Sequence, residues 1–184
     1  LSSSSAASDV YKRQGLYRTE FLLLREDQEE MPNEQEQTEA YRQIAKAIAP
    51  HQVIIRTLDS GGDKLPTEPL TEPEPNPFLG WRGIRVSLDR PTIFRSQLRA
   101  ALRASAFGKI ALMFPLVSGL TEVRRAKAHL QHCMDELSRQ NIAFDPAVPV
   151  GIMIEVPSAA VIADMLAKEA VSYTHLRAHE TEAD

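Results

Sequence analysis

Ile110-Ala-Leu-Met-Phe-Pro115, a mixed polar and apolar stretch over residues 121–140, then Val150-Gly-Ile-Met-Ile-Glu155: this succession decides the fold. Both short runs are apolar at nearly every position, which suits strands covered on both faces. Between them Val123, Ala126, Leu130, Cys133, Met134 and Leu137 recur on one face of a long helix. Strand, helix and strand in that order form a parallel crossover unit. The same alternation extends outward. Residues 92–105 read as a helix with Ile93, Leu98, Ala101 and Leu102 inside. Val53-Ile-Ile55 reads as a β-branched strand. Residues 33–49 read as a helix opened by Asn33 with Glu36, a capping-box pattern, and stopped by Pro50. Its apolar face is Tyr41, Ile44, Ala45 and Ile48. Pro157 suits the first turn of a last helix running to about Lys168.

The predicted class is therefore α/β, a partial (β/α)8 barrel. Such a barrel takes about 250 residues, so this chain has room for about its first half. No GxGxxG fingerprint and no Walker A sequence is present, against a dinucleotide or P-loop fold.

The 184 residues are 43% hydrophobic and 25% charged, with a formal net charge of -4. That composition is ordinary for a globular domain and argues against bulk attraction to nucleic acid. No apolar run is long enough for a transmembrane helix. The single cysteine, Cys133, allows no intrachain disulfide and fits a reducing, cytoplasmic compartment. It falls on the apolar stripe of the long helix, which assigns it to core packing.

Both ends are expected to be foreign. Back-translated with suitable codons, Asp9-Val-Tyr-Lys-Arg-Gln14 has a reverse complement that reads in another frame as Val171-Ser-Tyr-Thr-His-Leu176, the pattern of translated adapter DNA. Residues 1–14 and 171–184 are set aside on this ground, leaving 15–170 as one partial domain.

Barrel enzymes place their chemistry at the C-terminal ends of the strands. Arg56 follows Val53-Ile-Ile55 there, and Glu155 follows Val150-Gly-Ile-Met-Ile154. Arginine presents a planar fork that binds phosphate or carboxylate bidentately. Glu155 reads either as a helix-capping or salt-bridged residue, or as a metal ligand or acid–base group. Gly61-Gly62 is a turn, or a place where backbone N–H groups approach an anion. The Pro- and Glu-rich residues 65–77 form a surface excursion or a loop framing the site. Arg85, Arg90, Arg95, Arg99, Arg103, Arg124 and Arg125 read as surface charges or salt-bridge partners. His129 and His132, three apart on the long helix, have the spacing of a metal pair but no third ligand nearby, and read as solvated or interface residues.

Several segments together carry a resemblance: Gly15-Leu-Tyr-Arg-Thr-Glu20, Arg56-Thr-Leu-Asp-Ser-Gly-Gly-Asp-Lys64, Asn76-Pro-Phe-Leu-Gly-Trp-Arg82, Met113-Phe-Pro115 and Gly151-Ile-Met-Ile-Glu-Val-Pro157. In this order they resemble the C-terminal domain of enzyme I of the bacterial sugar phosphotransferase system, the phosphoenolpyruvate–protein phosphotransferase family. The resemblance implies a phosphoenolpyruvate-binding barrel that uses Mg2+. It implies that Arg18 and Arg56 hold the phosphate, with Arg82 and Asn76 beside them, and that Glu155 is one of two Mg2+ carboxylates. It also implies a phosphorylated histidine on a separate domain, transfer onward to the phosphocarrier protein HPr, and a homodimer.

The second metal carboxylate and the proton-donating cysteine of that family fall beyond Lys168. Cys133 does not match that cysteine, and no histidine here sits in a phosphohistidine motif. The chain is thus expected to hold no complete catalytic set, and to bind phosphoenolpyruvate weakly or not at all in isolation. Replacing Arg56 by alanine in a completed barrel is expected to abolish phosphotransfer with little loss of stability. Pyruvate phosphate dikinase and phosphoenolpyruvate synthase share this barrel and remain alternatives, as does a non-catalytic anion-binding or regulatory module.

Overall fold

In the computed structural model, residues 15–23, 31–61 and 80–170 are described. Both presumed foreign ends, Asn76, Gly62 and the Pro- and Glu-rich stretch lie outside them.

Among the described residues four strands form one sheet in sequence order, all parallel: β1 (Gly15–Arg18), β2 (Val53–Arg56), β3 (Ile110–Phe114) and β4 (Val150–Ile152). Helices α1 (Glu20–Leu23), α2 (Glu34–Ile48), α3 (Ile84–Asp89), α4 (Pro91–Ser105), α5 (Leu120–Arg139), α6 (Pro157–Val161) and α7 (Ala163–Leu166) connect and follow the strands. Parallel neighbours in sequence order, joined by helical crossovers, are the pattern of successive barrel strands.

Strand alternation sorts the side chains into two layers. Tyr17, Val53, Ile55, Ile110, Leu112, Phe114, Val150, Ile152 and Ile154 meet the helices in the main core. The opposite face carries a second cluster of Leu16, Ile54, Ala111, Met113 and Met153. Helix α4 supplies Phe94, Leu98, Ala101 and Leu102 to the main core, while its small residues Ala100, Ala101 and Ala104 are fully buried. Helix α5 turns Val123, Ala126, Leu130, Cys133 and Leu137 inward.

Helix α2 begins as its sequence predicts. The Asn33 side chain accepts from the amides of Gln35 and Glu36, and the Glu36 carboxylate accepts from the Asn33 amide. Other expectations need correction. Ile93 and Met134 are only partly buried, and Phe94, unforeseen, is one of the largest buried side chains. The expected helix from Pro157 is two short pieces separated at Ile162 (φ -109, ψ 23). Consecutive β-branched Val161 and Ile162 hold the helix poorly at that point. Strand β4 stops at Ile152, although the Met153 amide still donates to the Phe114 carbonyl. Neither α1 nor α3 was anticipated.

Candidate functional site

The register of the sheet builds the site. Arg18 pairs with Arg56 across β1 and β2, and Arg56 with Met113 across β2 and β3. Residues at one register on adjacent strands share a face, here the face of Leu16, Ile54 and Met113 rather than that of the main core. Arg18 and Arg56 thus end neighbouring strands side by side. Arg18 is exposed, whereas Arg56 is 8% exposed. Met153 belongs to this face and Ile154 to the other, so the alternation continues past β4 towards Glu155.

Two carboxylates brace Arg56. Its Nη1 lies 3.0 Å from Asp59 Oδ2, and its Nη2 lies 3.3 Å from Glu20 Oε2. The Glu20 side chain also accepts the Asp59 amide at 2.8 Å, which ties the turn after β1 to the turn after β2. Asp59 is shared: its Oδ1 takes the Nε of Arg82 at 3.3 Å. Arg82 reaches it because a Gly61–Arg82 bridge, with a bond from the Gly83 amide to the Ser60 carbonyl, pins the two segments together. Gly83 sits at φ +57, and a Cβ there would meet the Leu116 side chain at 3.1 Å, so this crossing needs glycine. Among the described residues Arg56 Nε is buried without a hydrogen-bond partner. A buried, unpaired guanidinium N–H calls for an acceptor. Arg56, with Arg18 beside it in register and Arg82 drawn in through Asp59, presents guanidinium donors of the kind that bind an anion.

Glu155 stands at the neighbouring strand end. Its Oε1 accepts the Leu116 amide at 2.7 Å, fastening the turn after β4 to the turn after β3. It offers hard oxygen of the kind Mg2+ takes, but as a single carboxylate. Among the described residues no group of three or more His, Cys, Asp or Glu is placed to hold a metal ion.

The structure therefore brings Arg56 and Arg82 together through Asp59 and sets Arg18 beside Arg56. Asn76 is not described. Glu20 and Asp59 are the site residues that the sequence reading missed. Their signal was there: each strand-end arginine is followed by threonine and, within three residues, by an acid.

Most of the remaining arginines and the histidine pair have structural roles. Arg99 spans Glu34 of α2 and Glu136 of α5, and Arg103 takes the other oxygen of Glu34. Arg85 donates to the Gly80 carbonyl and to that of Leu116. The ring of Trp81 lies under the guanidinium of Arg90, and its Nε1 donates to Asp89. Arg95 donates through Nε to His129 Nδ1, while its Nη1 lies 3.3 Å from His132 Nε2. The two histidines thus grip an arginine. Burial, then the charges of Arg95, Arg125 and His132, keep His129 below the ordinary histidine range. Cys133 is buried, its thiol pushed up to about 12 by burial and then by Glu136.

Comparison with known proteins agrees with this fold. Residues 4–174 match the family described as PEP-utilising enzyme, PEP-binding domain. The phosphoenolpyruvate-protein phosphotransferase of Mycoplasma capricolum is 48% identical over 156 residues, which are 85% of this chain and 27% of that protein. The proteins of the same name from Haemophilus influenzae and Staphylococcus carnosus are 50% and 52% identical, each over 84% of this chain and 27% of their own length. The chain thus spans about a quarter of the length of the curated relatives it matches.

Proposed function

The chain belongs to the PEP-utilising enzymes, as part of their PEP-binding domain, and from that premise we propose that it is the phosphoenolpyruvate-binding segment of a phosphoenolpyruvate–protein phosphotransferase, enzyme I of a bacterial sugar phosphotransferase system. The observation that carries the proposal is the placement of Arg18 and Arg56 at one register of adjacent strand ends, with Arg82 drawn in through Asp59.

Phosphoryl transfer asks the protein chiefly for positioning and charge neutralisation. Arg56 meets the phosphate as a preset fork, because Glu20 and Asp59 fix its plane before the ligand arrives. Arg18, exposed beside it, adds charge from the solvent side, and Arg82 and Asn76 complete the grip. Glu155 would supply one carboxylate oxygen ligand to a Mg2+ ion. When bound, such a metal would supply positive charge that offsets the charge of the transferred group. The acceptor is a histidine on a separate domain of a cytoplasmic, homodimeric enzyme, and the phosphoryl group goes on to HPr.

The test is phosphorylation of an HPr-type carrier by a full-length enzyme carrying this segment. Phosphoenolpyruvate with Mg2+ should serve as donor, and ATP should not replace it. Interconversion of pyruvate and phosphoenolpyruvate at the expense of ATP would instead assign the segment to the dikinase group. In the same assay Glu155→Gln should fall about 100-fold or more in rate, because glutamine still accepts the Leu116 amide but brings no charge to the metal. Near-normal turnover of that variant would remove Glu155 from the metal site.

A further inference from the structure

A chain of buried polar side chains runs behind the arginines, and its centre is Gln97 of α4. Gln97 is 1% exposed, and Thr19, Tyr41 and Thr57 are fully buried around this region. Each polar atom of the Gln97 amide is used. Its Oε1 accepts the Leu58 amide at 3.1 Å. Its Nε2 donates to Thr19 Oγ1 at 3.1 Å and towards Tyr41 Oη at 3.4 Å. Thr19 Oγ1 in turn donates to the Arg56 carbonyl at 2.9 Å. Tyr41 Oη donates towards Gln37 Oε1 at 3.4 Å, and Gln37 Nε2 donates to the Pro32 carbonyl at 2.8 Å.

The directions are mutually consistent: an amide with two donor hydrogens and one oxygen meets two hydroxyls and one N–H. The position of the contacts matters more than their number. Thr19 immediately precedes Glu20, and Leu58 immediately precedes Asp59. These are the two carboxylates that brace Arg56. One side chain, rooted in a helix on the main-core side of the sheet, therefore fixes both turns that carry the brace. A buried polar group satisfied this fully holds its neighbours in one arrangement, because any alternative leaves several polar atoms unpaired.

We propose that Gln97 is a positioning residue of the anion site: through Thr19 and Leu58 it sets Glu20 and Asp59, and these hold the Arg56 guanidinium in its binding orientation. This rests on Arg56 being an anion clamp, as proposed above, but it concerns the clamp's geometry before any ligand is bound. It assigns a role in the site to a residue of α4 that touches neither ligand nor metal.

The test is arginine side-chain NMR on the 184-residue chain without ligand. A guanidinium held by two carboxylates rotates slowly about its Nε–Cζ bond and gives separate Nη1 and Nη2 signals. Gln97→Met removes the amide at similar volume, Thr19→Val removes the relay hydroxyl isosterically, and Leu98→Ala damages the same helix at a fully buried apolar position. Separate Nη signals for Arg56 are expected in the parent chain and in Leu98→Ala. In Gln97→Met and Thr19→Val they should merge, with rotation at least tenfold faster. Retention of separate signals in a folded Gln97→Met or Thr19→Val chain would overturn the proposal. So would equal merging in Leu98→Ala, which would mark a general loss of stability. Should Gln97→Met fail to fold, Thr19→Val decides alone. Phosphoenolpyruvate is absent throughout, so failure here and failure of the proposed function are separate results.

Discussion

At Arg56 the demands of stability and of binding meet in one side chain. The guanidinium is buried between Glu20 and Asp59, so truncation leaves two carboxylates facing each other in a region of little water. Arg56→Ala should therefore destabilise the chain by about 3–5 kcal/mol, measured by denaturant unfolding. This reverses the expectation, drawn from sequence, that the change would be nearly neutral for stability. Loss of activity in that variant cannot separate binding from folding, and Arg56→Lys is the better probe: it keeps a cation between the acids but loses the fork. Cys133 gives a second prediction. With its thiol pushed up to about 12 and buried, it should resist a thiol reagent at pH 8 in the folded chain and react only as the chain unfolds. Rapid labelling under native conditions would show that α5 does not pack as described.

Among the elements, those with strong periodicity or a complete start signal were legible in the sequence. Helix α2 carries its own capping box, and α5 its unbroken apolar stripe. Replacing Asn33 by alanine should cost about 1 kcal/mol, seen as a lower midpoint of thermal or denaturant unfolding. Strand β1 gave no comparable signal, since Gly15-Leu-Tyr-Arg18 is four residues long with glycine at one end and a charge at the other. Its place in the sheet comes from pairing with β2, a contact between residues 38 positions apart. The same distance in sequence hid the brace. Arg56 is conspicuous as a charge ending a buried strand, but the role of Glu20 depends on the register of β1 against β2, which no local pattern encodes. Gln97 was hidden for the same reason, as a polar residue on an otherwise apolar helix face.

For the molecule as a whole, the four parallel strands set two regions apart. On the helical side, Glu34 links α2 to α4 through Arg99 and Arg103, and Arg99 reaches α5 through Glu136. Burial raises the Glu34 carboxyl, but hydrogen bonds and charge from Arg99 and Arg103 outweigh it and hold the group below the ordinary glutamate range. A carboxyl lowered in the folded state stabilises it above the ordinary glutamate range, and that contribution fades as pH falls through the lowered value. Glu34→Gln should thus be less stable than the parent chain by about 1–2 kcal/mol at pH 7. The difference should shrink as the pH is lowered past the folded carboxyl's titration, followed by denaturant unfolding at each pH.

At the strand ends the arginines and their acids form the other region, proposed above as the phosphate clamp for phosphoenolpyruvate. Its most direct test is the steady-state rate of carrier phosphorylation by a full-length enzyme carrying Arg56→Lys, with the fold checked by its melting temperature. There kcat/KM for phosphoenolpyruvate should fall about 100-fold or more in a protein that melts cooperatively. Turnover within threefold of the unmodified enzyme would contradict it.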